Sequence, residues 1–579
     1  MELSALFTKN ELGETGRARR AWPFWCFIAL ILLSLIPLLI DVLPQRDVAF
    51  RYAPMAEAFR DGDFFYAFHP RTGFLHTFTA GLFAWIFQCS GYTACKLSSL
   101  LFMALSLFPL YAVMKRVYSR TMAEVCCFMF VIGSQLQRLA WSGLRDSHKV
   151  FLLVTAAYAL VVIFQERKNW KGYLFLGAAA GLGMVTRGDL VLVMSLLFFW
   201  GIVMEWKLKR FPFRSAVGSI LALALSMPSI VLNWYLAGVA VPEIRFAWIF
   251  RKVVHRYPGL ADTLPLIAAG LVAAFAAAWI LRKIIDTRYG KIAAAAVAAA
   301  GLLALLIWRF RSPDFYLELS VLSYFGKIFK GFFPVFAVTA VIGVYCRIAR
   351  KEWTPEESIL AGVLVGHAVL VCAQIILNDC VLFVSARYLE PAVPLEFGWS
   401  AAGVLFCWAL LTGWIRDKHP KLVNFVGYAS FIVAVCFFLL DFYRPLIEEH
   451  TSQKWIRYRQ GLLEIADIIR RNYDGPAVFR PEVNPGTYIP KQNPPVLFMR
   501  YRDPKQGIWS DSGKAQLSAY FAGGRPVGSV EEAELIVEKR TDKVDFIEFF
   551  KTNWKNVKLE LIAETRIGKE QYRIWKKVN

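Results

Sequence analysis

A chain of 579 residues with 57% hydrophobic and only 19% charged side chains is too apolar for an ordinary soluble protein, and its mean hydropathy of +0.44 makes the bilayer its solvent. A formal charge of +22 could suggest nucleic acid, but in so apolar a chain it is first explained by basic cytoplasmic loops and basic groups facing lipid phosphates, so no nucleic-acid partner is expected. The ten cysteines all fall before residue 440, scattered through apolar segments, which excludes both a metal-site spacing and a disulfide framework in the tail.

Lys9, Arg17, Arg19 and Arg20 precede the first apolar run without a small-residue cleavage site after it, which reads as a retained first helix. A span needs roughly 20 apolar residues, and short Lys/Arg-rich loops face the cytoplasm. Placing the basic connectors 17–20, 115–120, 167–171, 207–214, 282–291, 347–351 and 416–421 on that side predicts about thirteen transmembrane helices. They lie at 22–43, 92–114, 121–138, 148–165, 171–187, 189–206, 215–238, 263–281, 292–308, 331–347, 357–377, 388–413 and 422–442. The apolar stretch 73–89 holds His76 and Gln88 and must not cross if parity is to hold, so it is expected to be interfacial or re-entrant. The map puts a multi-pass protein in the inner (plasma) membrane with its N-terminus cytoplasmic. Residues 1–444 form the membrane domain, and 445–579 form a small extracytoplasmic α/β domain. In that domain an amphipathic helix near 455–472 precedes strands at 477–480 and 496–502 and a hairpin around Gly568-Lys569-Glu570.

Ionisable residues collect on the outer side of this map. Asp47 follows the first helix at the membrane boundary, where a partly desolvated carboxylate is suited to accept a proton; Arg60, Asp61-Gly62-Asp63 and His69 continue that loop. The turn Trp141 to Lys149 packs Arg145, Asp146, Ser147, His148 and Lys149 between two apolar helices, as a functional cluster or as a cap in which Asp146 or Ser147 takes the free amides. Arg187 interrupts an apolar run, at a cost of at least ~2.5–3.5 kcal/mol on insertion scales, with Asp189 as its nearest counter-ion. Arg387 and Tyr388 stand at the mouth of a later helix that Pro391 and Pro394 then distort; the planar guanidinium fork suits a phosphate, or the pair snorkels to lipid headgroups. Arg251, Lys252 and Arg256 add a basic outer loop suited to a phosphorylated amphiphile or, equally, to anionic headgroups. No spacing demands a metal, although Asp47, His69 and Asp146 leave room for a divalent ion.

Taken in order, Asp47 with Tyr52, Ala56, Gly62 and Pro70, then Asp146, the helix end Leu182 to Arg187, and Arg387-Tyr388-Leu389-x-Pro391 resemble the GT-C superfamily of lipid-dependent glycosyltransferases. The resemblance covers about residues 20–400. It is strongest to the protein O-mannosyltransferase-like branch that includes the lipid A aminoarabinose transferase. It implies a polytopic all-α GT-C-like fold and transfer of a sugar, with inversion, from a polyprenyl-phosphate-linked donor to a hydroxyl acceptor on a lipid, glycan or protein, without a required cofactor. Asp47 and Asp146 would be the catalytic carboxylates. Arg387, Tyr388, Arg187, His69, Arg251, Lys252 and Arg256 would bind substrate. Protein O-mannosyltransferases follow the first-loop Asp with Glu, whereas Val48 follows Asp47 here, so that motif does not support a protein acceptor. The rival class is a transporter or flippase of lipid-linked sugars; it would carry inverted repeats, and the sequence shows none.

Overall fold

The computed structural model describes residues 21–40, 45, 47–68, 73–166, 170–187, 190, 193–194, 196–201, 213–237, 334–377, 386–416, 420–472, 496–498, 501–502, 509–510, 526–527, 535–539, 558–567 and 570–578. The expected spans 263–281 and 292–308, the strand 477–480, and His69, Asp189, Arg251, Lys252 and Arg256 lie outside the described residues.

The helices in chain order are α1 Trp22–Leu39, α2 Ala53–Arg60, α3 Phe64–Ala67, α4 Phe74–Phe87, α5 Gly91–Val117, α6 Arg120–Ile132, α7 Ser134–Trp141 and α8 Asp146–Gln165. They continue as α9 Trp170–Met184, α10 Phe213–Ala237, α11 Pro334–Ala349, α12 Pro355–Leu377, α13 Phe397–Arg416, α14 Pro420–Thr451 and α15 Gln453–Asn472. Among the described residues, four helices are long and apolar enough to cross a bilayer: Trp22–Leu39, Gly91–Val117, Asp146–Gln165 and Glu390–Leu410. The most enclosed of these is α8, whose Ala156, Ala157 and Ala159 let neighbouring helices close on it. At the periphery, α1 and α14 turn Trp25, Leu32, Leu39, Phe425, Phe431, Val433 and Leu440 outward. Each such side chain gains roughly 1.5–3 kcal/mol when lipid rather than water covers it.

Proline positions decide how the peripheral helices join. Pro37 lacks the N–H that would meet the Leu33 carbonyl, and the Tyr443 hydroxyl of α14 donates to that carbonyl instead, at 2.8 Å. From α5, Lys96 Nζ donates to the Pro37 carbonyl at 3.2 Å. Two freed or exposed acceptors of α1 thus become inter-helix bonds.

Several expected boundaries move, each for a local reason. The span expected at 121–138 is broken at Gly133, whose ψ of 89° leaves the helical region, into the shorter α6 and α7. That expected at 388–413 starts as a 3-10 stretch, Glu390–Glu396, because Pro391 and Pro394 withhold amide donors, and becomes α-helical only at Phe397. In place of 422–442 stands α14, 32 residues and about 48 Å long, which bends at Ser452 into α15. The 14 residues of α4 span about 21 Å, short of a ~30 Å hydrocarbon core, and they pack on α2 and α5, as a non-crossing helix would.

Beyond α14, Leu462, Ile465, Ala466 and Ile469 share one face of α15, and that helix packs on the strand Lys558–Ile567. The strands are β1 Val496–Phe498, β2 Tyr501–Arg502, β3 Trp509–Ser510, β4 Pro526–Val527, β5 Leu535–Lys539, β6 Lys558–Ile567 and β7 Glu570–Val578. Five form a mixed sheet in the order β4-β1-β5-β7-β6, with β1 parallel to β4 and β5 and the rest antiparallel. The expected hairpin around Gly568 is β6–β7, with a register shift between Leu561 and Ala563. The single strand expected at 496–502 is two, β1 in the main sheet and β2 paired with β3.

The first loop is fastened to α5 by Glu57, whose Oε1 accepts from the Gly91 amide at 2.8 Å. Burial raises the Glu57 pKa above 4.5, although Gly91 and Arg60 oppose it. The folded state therefore binds more protons than the unfolded one over that interval, and stability falls as pH rises from 4.5 through the raised value. Glu57→Gln keeps the acceptor and removes the titration, so thermal unfolding in detergent should show a smaller loss between pH 4.5 and 7 than in the parent. Parallel pH profiles of the two proteins would contradict this.

Candidate functional site

Asp47 ends the approach from α1 and begins a turn of π-helix, Val48–Tyr52, that runs directly into α2. Helix α2 packs on α4 and α5, so the backbone carrying Asp47 rests on two helices. At the N-cap of α4, Gly73 adopts φ +84° against the backbone of Thr186, where a Cβ would overlap the Thr186 carbonyl; Leu75 N donates to the Val185 carbonyl at 3.4 Å. This approach brings the first loop beside the turn that carries Arg187.

The structure gathers four of the charged features singled out in the sequence. Arg387 Nη2 donates to Asp47 Oδ2 at 2.6 Å, across 340 positions of chain. Asp146 Oδ1 accepts from Arg187 Nη1, with both side chains buried. Tyr388 lies between the two pairs: the Arg187 guanidinium carbon is 4.8 Å from its ring centre and that of Arg387 is 5.3 Å away. Lys149 Nζ, fully buried, donates to the Tyr388 carbonyl at 3.4 Å and so fixes the short 3-10 turn Ala386–Tyr388 from α8. Arg387 Nε is buried and has no hydrogen-bond partner among the described residues.

Behind these pairs lies a second layer that the sequence did not reveal as one. Arg145 stands over the Tyr52 ring at 5.6 Å and reaches the Thr186 carbonyl at 3.5 Å. Tyr52 meets His76 edge-on at 5.0 Å, and His76 meets His148 at 4.9 Å. Phe102 stacks on His148 at 3.8 Å, and the His148 Nε2 lies 3.2 Å from both Ser98 Oγ and Thr79 Oγ1. Burial, and then the charge of Arg145, push the His76 imidazole down to about 3, so the ring is neutral near pH 7 and serves as packing rather than as an acid. The only local signal for this layer is a histidine inside an apolar helix, which does not name its partner.

Electrostatics ties the two ion pairs together. Burial opposes the Arg387 cation, yet Asp146 and Asp47 outweigh it and hold the guanidinium pKa above its ordinary value. Of the two readings open for the turn, the structure favours the cluster over the cap. The N-cap of α8 is Arg145, which makes no side-chain capping bond, and Ser147 Oγ donates back to the Leu144 carbonyl. Arg187 takes Asp146 as a partner from 41 positions away; the pairing with Asp189 expected from the sequence falls on a residue outside the described ones. Among the described residues, no group of three or more His, Cys, Asp or Glu side chains is placed to hold a metal ion, and Asp47 and Asp146 each face a guanidinium.

Residues 69–234 match the family described as dolichyl-phosphate-mannose-protein mannosyltransferase, a segment that contains Asp146 and Arg187. No curated protein sequence matches the chain. Among solved structures, ArnT from Cupriavidus metallidurans bound to undecaprenyl phosphate is 12% identical, with 96% of this chain and 98% of that one covered at a TM-score of 0.51. The Archaeoglobus fulgidus oligosaccharyltransferase in complex with Zn and sulfate is 11% identical, with 90% of this chain and 68% of that one covered at a TM-score of 0.49. A structure of AglB from the same organism, with an inhibitory peptide and a dolichol-phosphate, is 12% identical at a TM-score of 0.47; there the chain spans 66% of its counterpart. Apolar helices, the matched segment and the fold shared with ArnT make this chain a membrane protein that resembles the GT-C superfamily of glycosyltransferases.

Proposed function

We propose that the chain transfers a sugar from a polyprenyl-phosphate-linked donor to a hydroxyl acceptor on the extracytoplasmic face of the membrane, with inversion at the anomeric carbon. The observation that carries this reading is the convergence of Asp47 and Arg387 from opposite ends of the membrane region, with Tyr388 flanked by a second guanidinium. The mannosyltransferase-family match over residues 69–234 and the ArnT-like fold support it. Displacement at an anomeric carbon needs a base for the incoming hydroxyl and cationic donors for the departing phosphate. Asp47 takes the acceptor proton as the new C–O bond forms. The bond between the anomeric carbon and the carrier oxygen breaks on the opposite side, and the charge that develops on the phosphate goes to Arg387.

Asp146 then has a different part from Asp47. It is almost completely buried and engaged with Arg187, so it positions that guanidinium against Tyr388 rather than touching substrate. His69, Arg251, Lys252 and Arg256 remain further substrate-binding candidates on their place in the sequence.

The test is purified protein in proteoliposomes given polyprenyl-phosphate-linked sugars labelled in the sugar, with lipid, glycan and peptide acceptors. A new glycosidic bond with release of polyprenyl phosphate is expected. Movement of labelled lipid between leaflets without bond formation would replace this reading by transport. Within the reaction, Arg387→Lys keeps the charge and loses the fork. Its donor KM should rise about tenfold, the equivalent of about 1.4 kcal/mol, with acceptor KM unchanged. Equal donor KM in parent and variant would remove Arg387 from the phosphate site.

A further inference from the structure

The planar edge of Arg387 that carries Nε and Nη2 is the edge on which a guanidinium grips a phosphate through two parallel hydrogen bonds. One of its two donors, Nη2, is engaged by Asp47 Oδ2 at 2.6 Å. The other, Nε, is buried and has no partner among the described residues. A buried donor left unmade carries the desolvation cost of that group, so a ligand that satisfies both positions has an advantage over a carboxylate oxygen that meets only Nη2. Both side chains remain partly open, at 26% and 30% relative exposure, so an incoming group can reach the pair.

We infer that the Asp47–Arg387 ion pair is a latch: the carrier phosphate displaces Asp47 from Arg387, and only then is the Asp47 carboxylate released to accept a proton. This rests on the transferase reading above and adds an order to it. While Arg387 holds the carboxylate, the charge-assisted bond lowers its basicity and turns it away from an acceptor hydroxyl. Phosphate takes the Nε and Nη2 positions, and the carboxylate, which has exchanged the Arg387 guanidinium for an anionic diester as its neighbour, gains affinity for a proton. The donor must therefore bind before the acceptor is activated. In the absence of donor the base is neutralised, which limits loss of activated sugar to water. No covalent change accompanies this exchange; one hydrogen-bond acceptor replaces another on Arg387.

A consequence runs against ordinary expectation for an active-site deletion: removing Asp47 should tighten carrier binding, because the internal competitor is gone. The probe is sugar-free polyprenyl phosphate, titrated into purified full-length protein in nanodiscs, with Asp47→Ala, Asp47→Asn, Arg387→Ala and the Asp47→Ala/Arg387→Ala double variant. Monodispersity and thermal midpoint establish that each variant is folded. Asp47→Ala should bind the carrier about three- to tenfold more tightly than the parent, the equivalent of roughly 0.7–1.4 kcal/mol, and Asp47→Asn should fall between them. In the Arg387→Ala background the gain should vanish. A gain that persists without Arg387 would mean plain repulsion between Asp47 and phosphate and would overturn the latch. So would unchanged or weaker binding by both Asp47 variants while the parent binds. If the parent itself neither binds polyprenyl phosphate nor transfers sugar, the transferase reading fails and the latch with it, an outcome distinct from the other two.

Discussion

Asp47→Asn should leave a folded protein that binds donor and turns over about 10²–10⁴ times more slowly than the parent. The amide keeps the shape of the carboxylate and can still accept from Arg387, but it cannot take the acceptor proton. The π-helical turn Val48–Tyr52 and the packing of α2 on α4 and α5 hold position 47 in either variant, so the loss is chemical rather than conformational. Asp146→Asn is the informative companion. Its carboxylate is buried against Arg187, so its loss should show first as a raised donor KM through the misplaced guanidinium over Tyr388. Single-turnover rates and donor binding measured on both variants separate the two parts. Near-normal turnover of Asp47→Asn would end the case for Asp47 as the base.

The largest stability effect is expected at Glu357, which no functional argument singled out. Its two carboxylate oxygens face Arg347 Nε at 3.1 Å and Nη2 at 2.9 Å, with Glu357 fully buried and Arg347 nearly so. Oε1 also accepts from Trp399 Nε1 at 3.2 Å, and Oε2 from the Thr354 amide at 2.8 Å. The Thr354 hydroxyl in turn accepts from the Glu357 amide at 3.3 Å, completing a capping box at the start of α12. One carboxylate thus joins α11, α12 and α13. It sits at the end of the bundle where Gln165, the last residue of α8, bonds Glu356 at 2.9 Å. Nineteen positions of helix separate Gln165 from Asp146, about 28 Å from the candidate site. Glu357→Ala removes the fully buried one of two carboxylates that face Arg347, Glu352 at 3.1 Å being the other, and should cost about 3–5 kcal/mol in detergent unfolding. Replacing both partners, as Arg347→Met with Glu357→Leu, should recover part of that loss, because the desolvation penalty goes with the charges. A loss below about 1 kcal/mol for Glu357→Ala would show that Arg347 finds its solvation elsewhere.

Much of the membrane region could be read from length and hydropathy, because a span is an almost one-dimensional signal; α5, α8, α9, α11 and α12 lie close to where that signal puts them. It fails where a local residue overrides apolarity, at Gly133 and at Pro391 and Pro394, where composition still reads as one continuous span. The charged residues of the candidate site were legible for a thermodynamic reason: an arginine such as Arg187 between apolar helices is too costly to be incidental. Their pairing was not legible. Nothing local to Asp47 points to Arg387, and Arg187 has in Asp189 a nearer counter-ion in sequence than Asp146, its partner in space. The Glu357 node has a sequence signature in Thr354-x-x-Glu357, but in the sequence Arg347 carries only a topological meaning, as part of a basic connector.

Helices α11 and α13 meet backbone to backbone. A Cβ on Gly343 would overlap the Trp399 carbonyl, and one on Gly403 would overlap the Thr339 carbonyl. Two reciprocal glycines with no side chain between the rods leave a seam too tight for a hydrocarbon tail, and Ser400 Oγ closes it further by donating to the Phe336 carbonyl at 2.8 Å. A lipid cannot part these two helices without breaking that seal, so a carrier that presents its phosphate to Arg387 must thread its tail along another flank of the bundle.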